Sequence, residues 1–422
     1  MKTAAIVAEY NPFHNGHQYQ IEETKRQTGA DFILVLMSGD FVQRGAPALC
    51  NKYIRTKMAL IGGADLVIEL PSLYALSSAE FFADGAVTLL NQLNVVDILS
   101  FGSESGNLSL FEKCTGTMIR QADQLTSIIR EGLKCGLPFP AARADAMSEI
   151  FFTYPDAEEL NALFSYPNNI LGMEYCKALL ATKSPIRPFT IKREDAGYHN
   201  TSVSEHSSKY ISASAIRNAL TQTPELVARY VPSEVYQLIT EYGLPASHLQ
   251  EDAFSMLLYY KLLTEKDHGF SAYLDCTPDL SDKICKNLAN YTSFTDFCHL
   301  LKTKEITYTR LSRVMMHILL NIKTPEYFRP PLLSRKLYAP YARLLGFKKE
   351  ASPLLSAIKK SSSIPLLSKP ADAASLLNRE AFAMLQQDIF CASVYESAVF
   401  HYTGKQPLNE LKQSPIILPQ LT

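Results

Sequence analysis

The sequence predicts a doubly wound parallel α/β domain, Rossmann-like, followed by a mostly helical carboxyl-terminal domain. Three observations carry this. Within residues 1–105, four short apolar runs (Ala4–Ala8, Phe32–Met37, Leu66–Leu70 and Val95–Phe101) alternate with helical stretches at 17–28, 51–62 and 78–93. Unbroken apolar strands separated by helices are the pattern of a parallel sheet covered on both faces. The polar residues of this half gather at the carboxyl ends of those strands, where such sheets bind ligands. They are Tyr10–His17, Ser38-Gly39-Asp40, Glu69-Leu70-Pro71 and Gly102-Ser103-Glu104. Finally, nearly everything after a hinge at Gly243-Leu244-Pro245 reads as helix.

The first strand ends in a Pro-containing turn, and His14-Asn15-Gly16-His17 then opens a helix. At a strand-to-helix turn, two imidazoles, a glycine that lets a ring lie close to the backbone, and a helix N-terminus suit a polyphosphate. The competing explanation is a turn with surface histidines, and the place after the first strand favours phosphate binding. After the second strand come Asp40, Gln43, Arg44, Lys52, Arg55 and Lys57. A charged helix face explains such residues as well as phosphate contact by Arg44 and Lys57 does.

Residues 107–165 read as a helical insertion or lid without defensible chemistry. A helix opens at Pro167-Asn168-Asn169, a further strand is expected at Ile186–Ile191, and Lys192-Arg193-Glu194 follows. A polar loop then leads to Ser212-Ala213-Ser214-Ala215-Ile216-Arg217, two hydroxyls and a cation where a helix begins. By itself this is an ordinary N-cap. Paired with the first motif it becomes a second phosphate grip.

The predicted domains are 1–243, catalytic, and 244–422, helical. Net charge is −1, so overall charge gives no nucleic-acid signal. Locally, Lys302 to Lys369 holds 14 Lys and Arg against 3 Glu and no Asp, interleaved with tyrosines. A solvated helix face is the ordinary reading; an imbalance of this size in a balanced chain favours contact with an RNA backbone. The eight cysteines include no Cys-x-x-Cys pair, which argues against structural zinc and disulfides and for a reducing cytosol. Glu9 breaks the first apolar run too early for a signal peptide, and no run nears the ~20 apolar residues of a membrane span. A cytoplasmic protein is expected.

Seven segments in order, VAEYNPFHNGHQYQ (Val7–Gln20), MSGDFVQRGAP (Met37–Pro47), RTKMAL (Arg55–Leu60), ADLVIELP (Ala64–Pro71), FGSE (Phe101–Glu104), PNNIL (Pro167–Leu171) and SASAIR (Ser212–Arg217), resemble the bacterial tRNA(Met) cytidine acetate ligase family of the HIGH-motif nucleotidyltransferase superfamily. The second half, with Lys302-Thr303-Lys304 and Tyr308-Thr309-Arg310-Leu311, is similar too. The resemblance implies an enzyme that uses ATP with Mg²⁺ to activate acetate as acetyl-adenylate and then acetylates N4 of the wobble cytidine of elongator tRNA(Met). It implies an ATP site of Val7, Ala8, Glu9, Tyr10, Asn11, Pro12, Phe13, His14, Asn15, Gly16, His17 and Gln20 with Gly102, Asn168 or Asn169, and Arg193, the choice of Asn left open. Ser212, Ser214 and Arg217 would hold the outer phosphates, without the lysines of the synthetase version of that motif. His14, His17, Asp40 and Arg44 are the catalytic candidates, Asp40 and His199 the candidate bases for acetyl transfer, and Lys302, Lys304, Arg310 and Arg313 the RNA contacts. Two other classes stay open: a small-molecule nucleotidyltransferase, which needs no basic helical half, and a non-catalytic RNA-binding protein on a nucleotide-binding fold.

Overall fold

The structure, a computed structural model, describes residues 1–193, 210–243, 249–328 and 337–419. Among the described residues there are ten strands: β1 (Thr3–Ala8), β2 (Phe32–Ser38), β3 (Phe41–Val42), β4 (Ala46–Pro47), β5 (Leu66–Leu70), β6 (Ile98–Ser103), β7 (Arg187–Lys192), β8 (Ala342–Lys348), β9 (Leu366–Leu367) and β10 (Ile416–Leu418). Eight of them form one sheet in the order β10-β8-β5-β2-β1-β6-β7, with β9 beside β8. Strands β5, β2, β1, β6 and β7 are mutually parallel. The apolar runs make these strands because both faces of the sheet are covered: every residue of β5 is buried, and Ile33 to Met37 of β2 are fully so.

Helices Asn15–Thr28, Lys52–Ile61 and Ala79–Leu93 make the crossovers. The chain runs from β1 outward through β2 to β5, then returns to lay β6 on the other side of β1. The direction of winding reverses there, and the crevice outside the carboxyl ends of β1 and β6 is where such a sheet takes its ligand.

The expected insertion is helical, with Leu108–Arg120, Ala122–Lys134 and Phe139–Phe151, and its Phe111, Met147 and Phe151 join the main core. The expected break at 243 does not divide the sheet. Strand β8 pairs antiparallel with β5, and β10 pairs with β8, so the carboxyl-terminal half returns to finish the amino-terminal layer. Between hinge and return the described residues are mostly helical, including Tyr308–Leu319, and Arg379–Thr403 is the longest described helix. Among the described residues no helix is long and apolar enough to cross a membrane. All eight cysteines are free.

Candidate active site

Arg55 sets the shape of the crevice. It is 0% exposed, and its guanidinium donates to the carbonyls of Glu9 (2.6 Å), Ser38 (3.1 Å), Gly39 and Cys50 (2.9 Å). One buried cation thus fixes the chain leaving β1 against the chain leaving β2. A charged helix face is the wrong picture for this residue and for Lys52, whose Nζ meets Glu69 at 2.8 Å, Glu410 at 3.0 Å and Asp40 at 3.8 Å. Arg343 of β8 completes the cluster through Glu69 (3.1 Å), Glu410 and Tyr53. Lys57 is exposed.

The turn after β1 passes through a left-handed Tyr10 (φ 47°) and a cis Asn11–Pro12 bond. His14 is the N-cap of Asn15–Thr28. Its Nδ1 accepts the Gly16 N–H (3.1 Å), and its own N–H donates to Nδ1 of His17 (3.2 Å). The two rings stack at 3.6 Å, with the edge of Tyr10 at 4.8 Å from His17. A Cβ on Gly16 would come within 3.0–3.1 Å of the His14 ring, so the capped geometry is tight for any other residue.

Both imidazoles therefore spend Nδ1 on backbone N–H groups and carry their hydrogen on Nε2. Burial, then the positive charge of Arg193, lowers His14 to about 3. Burial, His14 and Arg193 hold His17 well below its ordinary value. At these positions they act as neutral hydrogen-bond donors. Among the described residues, Arg44, Arg193 and Arg217 bring positive charge to the main compartment of the cleft, and Arg313 to the second.

The main compartment of the cleft is about 740 Å³, within the usual range for a cofactor site. It brings together Glu9, Asn11, His14, His17, Arg44, Asn168, Arg193, Ser212, Ser214 and Arg217 from segments some 200 residues apart. A second compartment of about 520 Å³ adds Val7, Ala8, Tyr10, Gln20 and Gly102. Ser212 caps its helix through Ala215 N–H (3.2 Å). Arg217 donates to Asn11 O (2.6 Å) and to Ser214 Oγ (3.1 Å), so the second motif holds the first directly.

Other candidates lie elsewhere. Asp40 is buried behind the wall: its Oδ1 accepts the Lys52 N–H at 2.7 Å, and it lines neither compartment. Burial pushes its carboxyl up, with Lys52 opposing. In this position it anchors the start of the Lys52–Ile61 helix to the end of β2. Phe13, fully buried, fills the space that Gly62 leaves open, and Pro12 is buried beside it. Asn15 is tied to Tyr230 O (2.8 Å) and Arg229 O (3.1 Å). Of the asparagine pair, Asn168 lines the cleft and donates to Glu104 (2.7 Å), while Asn169 is buried and accepts the Ser105 N–H (3.1 Å). His199 lies outside the described residues.

Lys302 and Lys304 are exposed. Arg310 and Arg313 instead hold Asp275, through its carbonyl (3.2 Å) and its Oδ2 (3.2 Å). Arg313 with Thr309 also reaches the second compartment, so the Tyr308–Leu319 helix belongs partly to the cleft wall. The helix gets there by way of the β3–β4 hairpin. Gly45, with φ 77°, accepts from Ser312 Oγ (2.8 Å), and a Cβ on it would lie within 2.4–2.8 Å of the Ser312–Arg313 backbone. Sequence reasoning passed over Glu251, Tyr308 and Tyr175 as lining residues; Tyr308 stood in a quoted motif, and the others had no signal. Among the described residues no group of three or more His, Cys, Asp or Glu is placed to hold a metal ion.

Residues 1–410 match the model of the HIGH Nucleotidyl Transferase family. The chain is 38% identical over 404 residues to a tRNA(Met) cytidine acetate ligase of Clostridium perfringens, covering 94% of this chain and 95% of that one. With the protein of the same name from Acetivibrio thermocellus it is 36% identical over 429 residues, covering 99% and 100%. Crystal structures of Thermotoga maritima TmcAL superpose over 100% of both chains, with TM-score 0.89 and 27% identity for the form bound with alpha-thio ATP and 0.90 and 28% for the apo form. The seven-segment resemblance is thereby confirmed, and the chain belongs to the HIGH nucleotidyl transferase family, among its tRNA(Met) cytidine acetate ligases.

Proposed function

We propose that the chain activates acetate with ATP and transfers the acetyl group to N4 of the wobble cytidine of elongator tRNA(Met). The observation that carries this is the convergence of the His14 and His17 donors with Arg193 and Arg217 on one cleft at the switch point of the sheet. In the first step an acetate oxygen attacks the α-phosphorus, a P–O bond breaks, and pyrophosphate leaves. The Nε2–H groups of His14 and His17 donate to oxygens that gain charge in that step, with Arg193 beside them. Ser212, Ser214, Arg217 and Arg44 serve the departing phosphates. Preformed donors of this kind are each worth on the order of 100- to 1000-fold in rate. Asn168, with Gly102, serves the nucleoside.

In the second step the cytidine N4 attacks the acetyl carbon, the C–O bond to AMP breaks, and N4 loses one proton. Because the anhydride is already activated, positioning supplies much of the rate. Mg²⁺ fits as a partner of the triphosphate, since Mg²⁺ is commonly held by substrate phosphates with few protein ligands. The exposed Lys302 and Lys304 serve the RNA backbone, and the place of action is the cytoplasm.

The test is purified protein with ATP, labelled acetate and a tRNA pool, followed by nucleoside digestion. Labelled acetylcytidine is expected, and His17→Ala should remove both it and acetate-dependent ATP–pyrophosphate exchange while the fold survives. Turnover without labelled RNA would replace this reading with a small-molecule enzyme. RNA binding without turnover would replace it with a binding protein.

A further inference from the structure

The first step uses the part of the main compartment lined by His14, His17, Arg193, Ser212, Ser214 and Arg217. The carboxyl-terminal half supplies a further wall, Leu249, Gln250, Glu251, Tyr308 and Thr309, to which that step gives no task. Among the described residues three carboxylates line the compartment: Glu9, Glu104 and Glu251. Glu9 accepts the Gln43 N–H (3.0 Å), and Glu104 accepts from Asn168 Nδ2 (2.7 Å) and the Asn169 N–H (3.0 Å). Glu251 is half-buried and, apart from its own backbone N–H, has no hydrogen-bond or ion-pair partner among the described residues. Burial pushes its carboxyl up, with that N–H and the charge of Arg217 opposing and Asp252 adding to the rise. A carboxylate repels phosphates, so its use lies with a group that brings a hydrogen. His14 and His17 cannot serve such a group, because each has committed Nδ1 to a backbone N–H and presents only a donor.

Glu251 is firmly held. It opens the single turn Glu251–Phe254 ahead of the Ser255–Glu265 helix. Asp252 Oδ1 accepts the Thr295 N–H (2.8 Å) and its Oδ2 the Thr295 hydroxyl (2.7 Å), while Ser255 Oγ accepts the Phe294 N–H (2.9 Å). Phe254 is fully buried, its ring 5.5 Å from that of Phe41 in β3. The turn is thus fastened to the start of the Phe294–Leu301 helix, whose other end, about 10 Å along the axis, leads into the exposed Lys302 and Lys304. Tyr308, half-buried at the compartment, lies within electrostatic reach of Glu251. One wall therefore carries an accessible carboxylate and an aromatic ring, with two exposed cations at the end of the helix behind it. Those are the parts that recognise a base in a single-stranded RNA loop: an acceptor for its edge, a ring for its face and charge for its backbone.

We propose that Glu251 is a catalytic residue of the second step: its carboxylate accepts the N4 amino hydrogen of the target cytidine and takes that proton as N4 attacks the acetyl carbon, while Tyr308 offers its ring to the base. The N4–C bond forms, the C–O bond to AMP breaks, AMP departs with the bonding pair, and the N4 proton passes to a Glu251 oxygen and then to water. A carboxylate is a regular partner of cytosine N4, whereas uracil, with a carbonyl oxygen at that position, would meet it acceptor to acceptor. The same group thus selects the base and activates it. The assignment rests on the ligase reading above, because it takes a cytidine amine to receive the acetyl group.

The test uses the full chain and measures the two steps separately. Glu251→Gln keeps the size of the side chain and cannot take the proton. Acetate-dependent ATP–pyrophosphate exchange should stay within twofold of wild type, whereas single-turnover acetyl transfer to tRNA should fall about 100-fold or more, the scale of a lost general base. Glu251→Asp, which keeps a carboxylate, should transfer at least ten times faster than Glu251→Gln. Unchanged transfer in Glu251→Gln, or Glu251→Asp no faster than Glu251→Gln, overturns the assignment. So does an equal fall in exchange and transfer, which would give Glu251 to the nucleotide or its Mg²⁺. All three outcomes leave the ligase reading intact. Wild-type protein that shows neither acetate-dependent exchange nor acetylcytidine overturns the ligase reading itself.

Discussion

His14 and His17 owe their chemistry to two backbone N–H groups. Accepting those hydrogens fixes where each imidazole keeps its own, and burial beside Arg193 keeps both neutral. A linkage follows. His14 in the folded chain takes up a proton only near pH 3, against 6.5 ordinarily. Between those values the unfolded chain binds more protons, so this contribution to stability is full above pH 6.5 and is lost as the pH falls toward 3, at about 1.4 kcal/mol per pH unit. The depressed His17 acts in the same sense. His14→Asn keeps an N-cap acceptor and removes the titration. Denaturant unfolding at pH 7, 6 and 5 should therefore show a shallower loss of stability in the variant, and equal slopes would mean that the imidazole is not held neutral. The motif was legible in the sequence, since a His-x-Gly-His spacing after an apolar run needs only local geometry. Its charge state was not, because it depends first on burial within the folded cleft and then on Arg193, which comes from far along the chain. The place of Asp40 behind the wall was not legible either: Lys52 is near in sequence, but Glu410, which shares that ammonium, comes from the far end of the chain.

At the scale of elements, β1, β2 and β5 were readable as continuous apolar runs, and their helices fell within a few residues of expectation. Strand β8 was not. It carries Arg343 in its buried stretch and Gly346 where a Cβ would lie 2.8 Å from Ile416 O, so neither periodicity nor apolar continuity marks it. Its charge is tolerable only because Glu69 and Glu410 wait on neighbouring elements; removing one partner of such a buried group typically costs ~3–5 kcal/mol. The basic carboxyl-terminal stretch likewise divides once its elements are placed. Arg310 and Arg313 hold the Asp275 loop, whereas Lys302 and Lys304 sit exposed between the Phe294–Leu301 and Tyr308–Leu319 helices. Lys302→Glu with Lys304→Glu should weaken tRNA binding with no loss of thermal stability. The log–log dependence of affinity on salt should become shallower by roughly 0.7–0.9 for each phosphate contact removed. A slope that does not move would place the RNA elsewhere.

On the scale of the whole molecule, the two halves share one sheet. The sequence boundary at Gly243 marks a change in composition, and composition does not report which strands will pair across long separations. A fragment of residues 1–243 would leave β5 as a bare apolar edge and deprive Lys52 and Glu69 of Glu410 and Arg343. It should lack a cooperative thermal transition and aggregate, where the full chain unfolds cooperatively. A soluble fragment with a sharp transition would show that the amino-terminal layer is self-sufficient.

The place of β8 also has a meaning in time. The chain leaves the ribosome from its amino terminus, and Arg343 is made 273 residues after Leu70. At common rates of synthesis that interval is roughly 15 to 55 s. For that long, an all-buried strand lacks its antiparallel neighbour and Glu69 lacks Arg343. The sheet that carries the nucleotide cleft is written early in the sequence, and its β5 edge is covered only when the last fifth of the chain arrives, so nascent chains of this protein should depend on chaperones more than their compact product suggests.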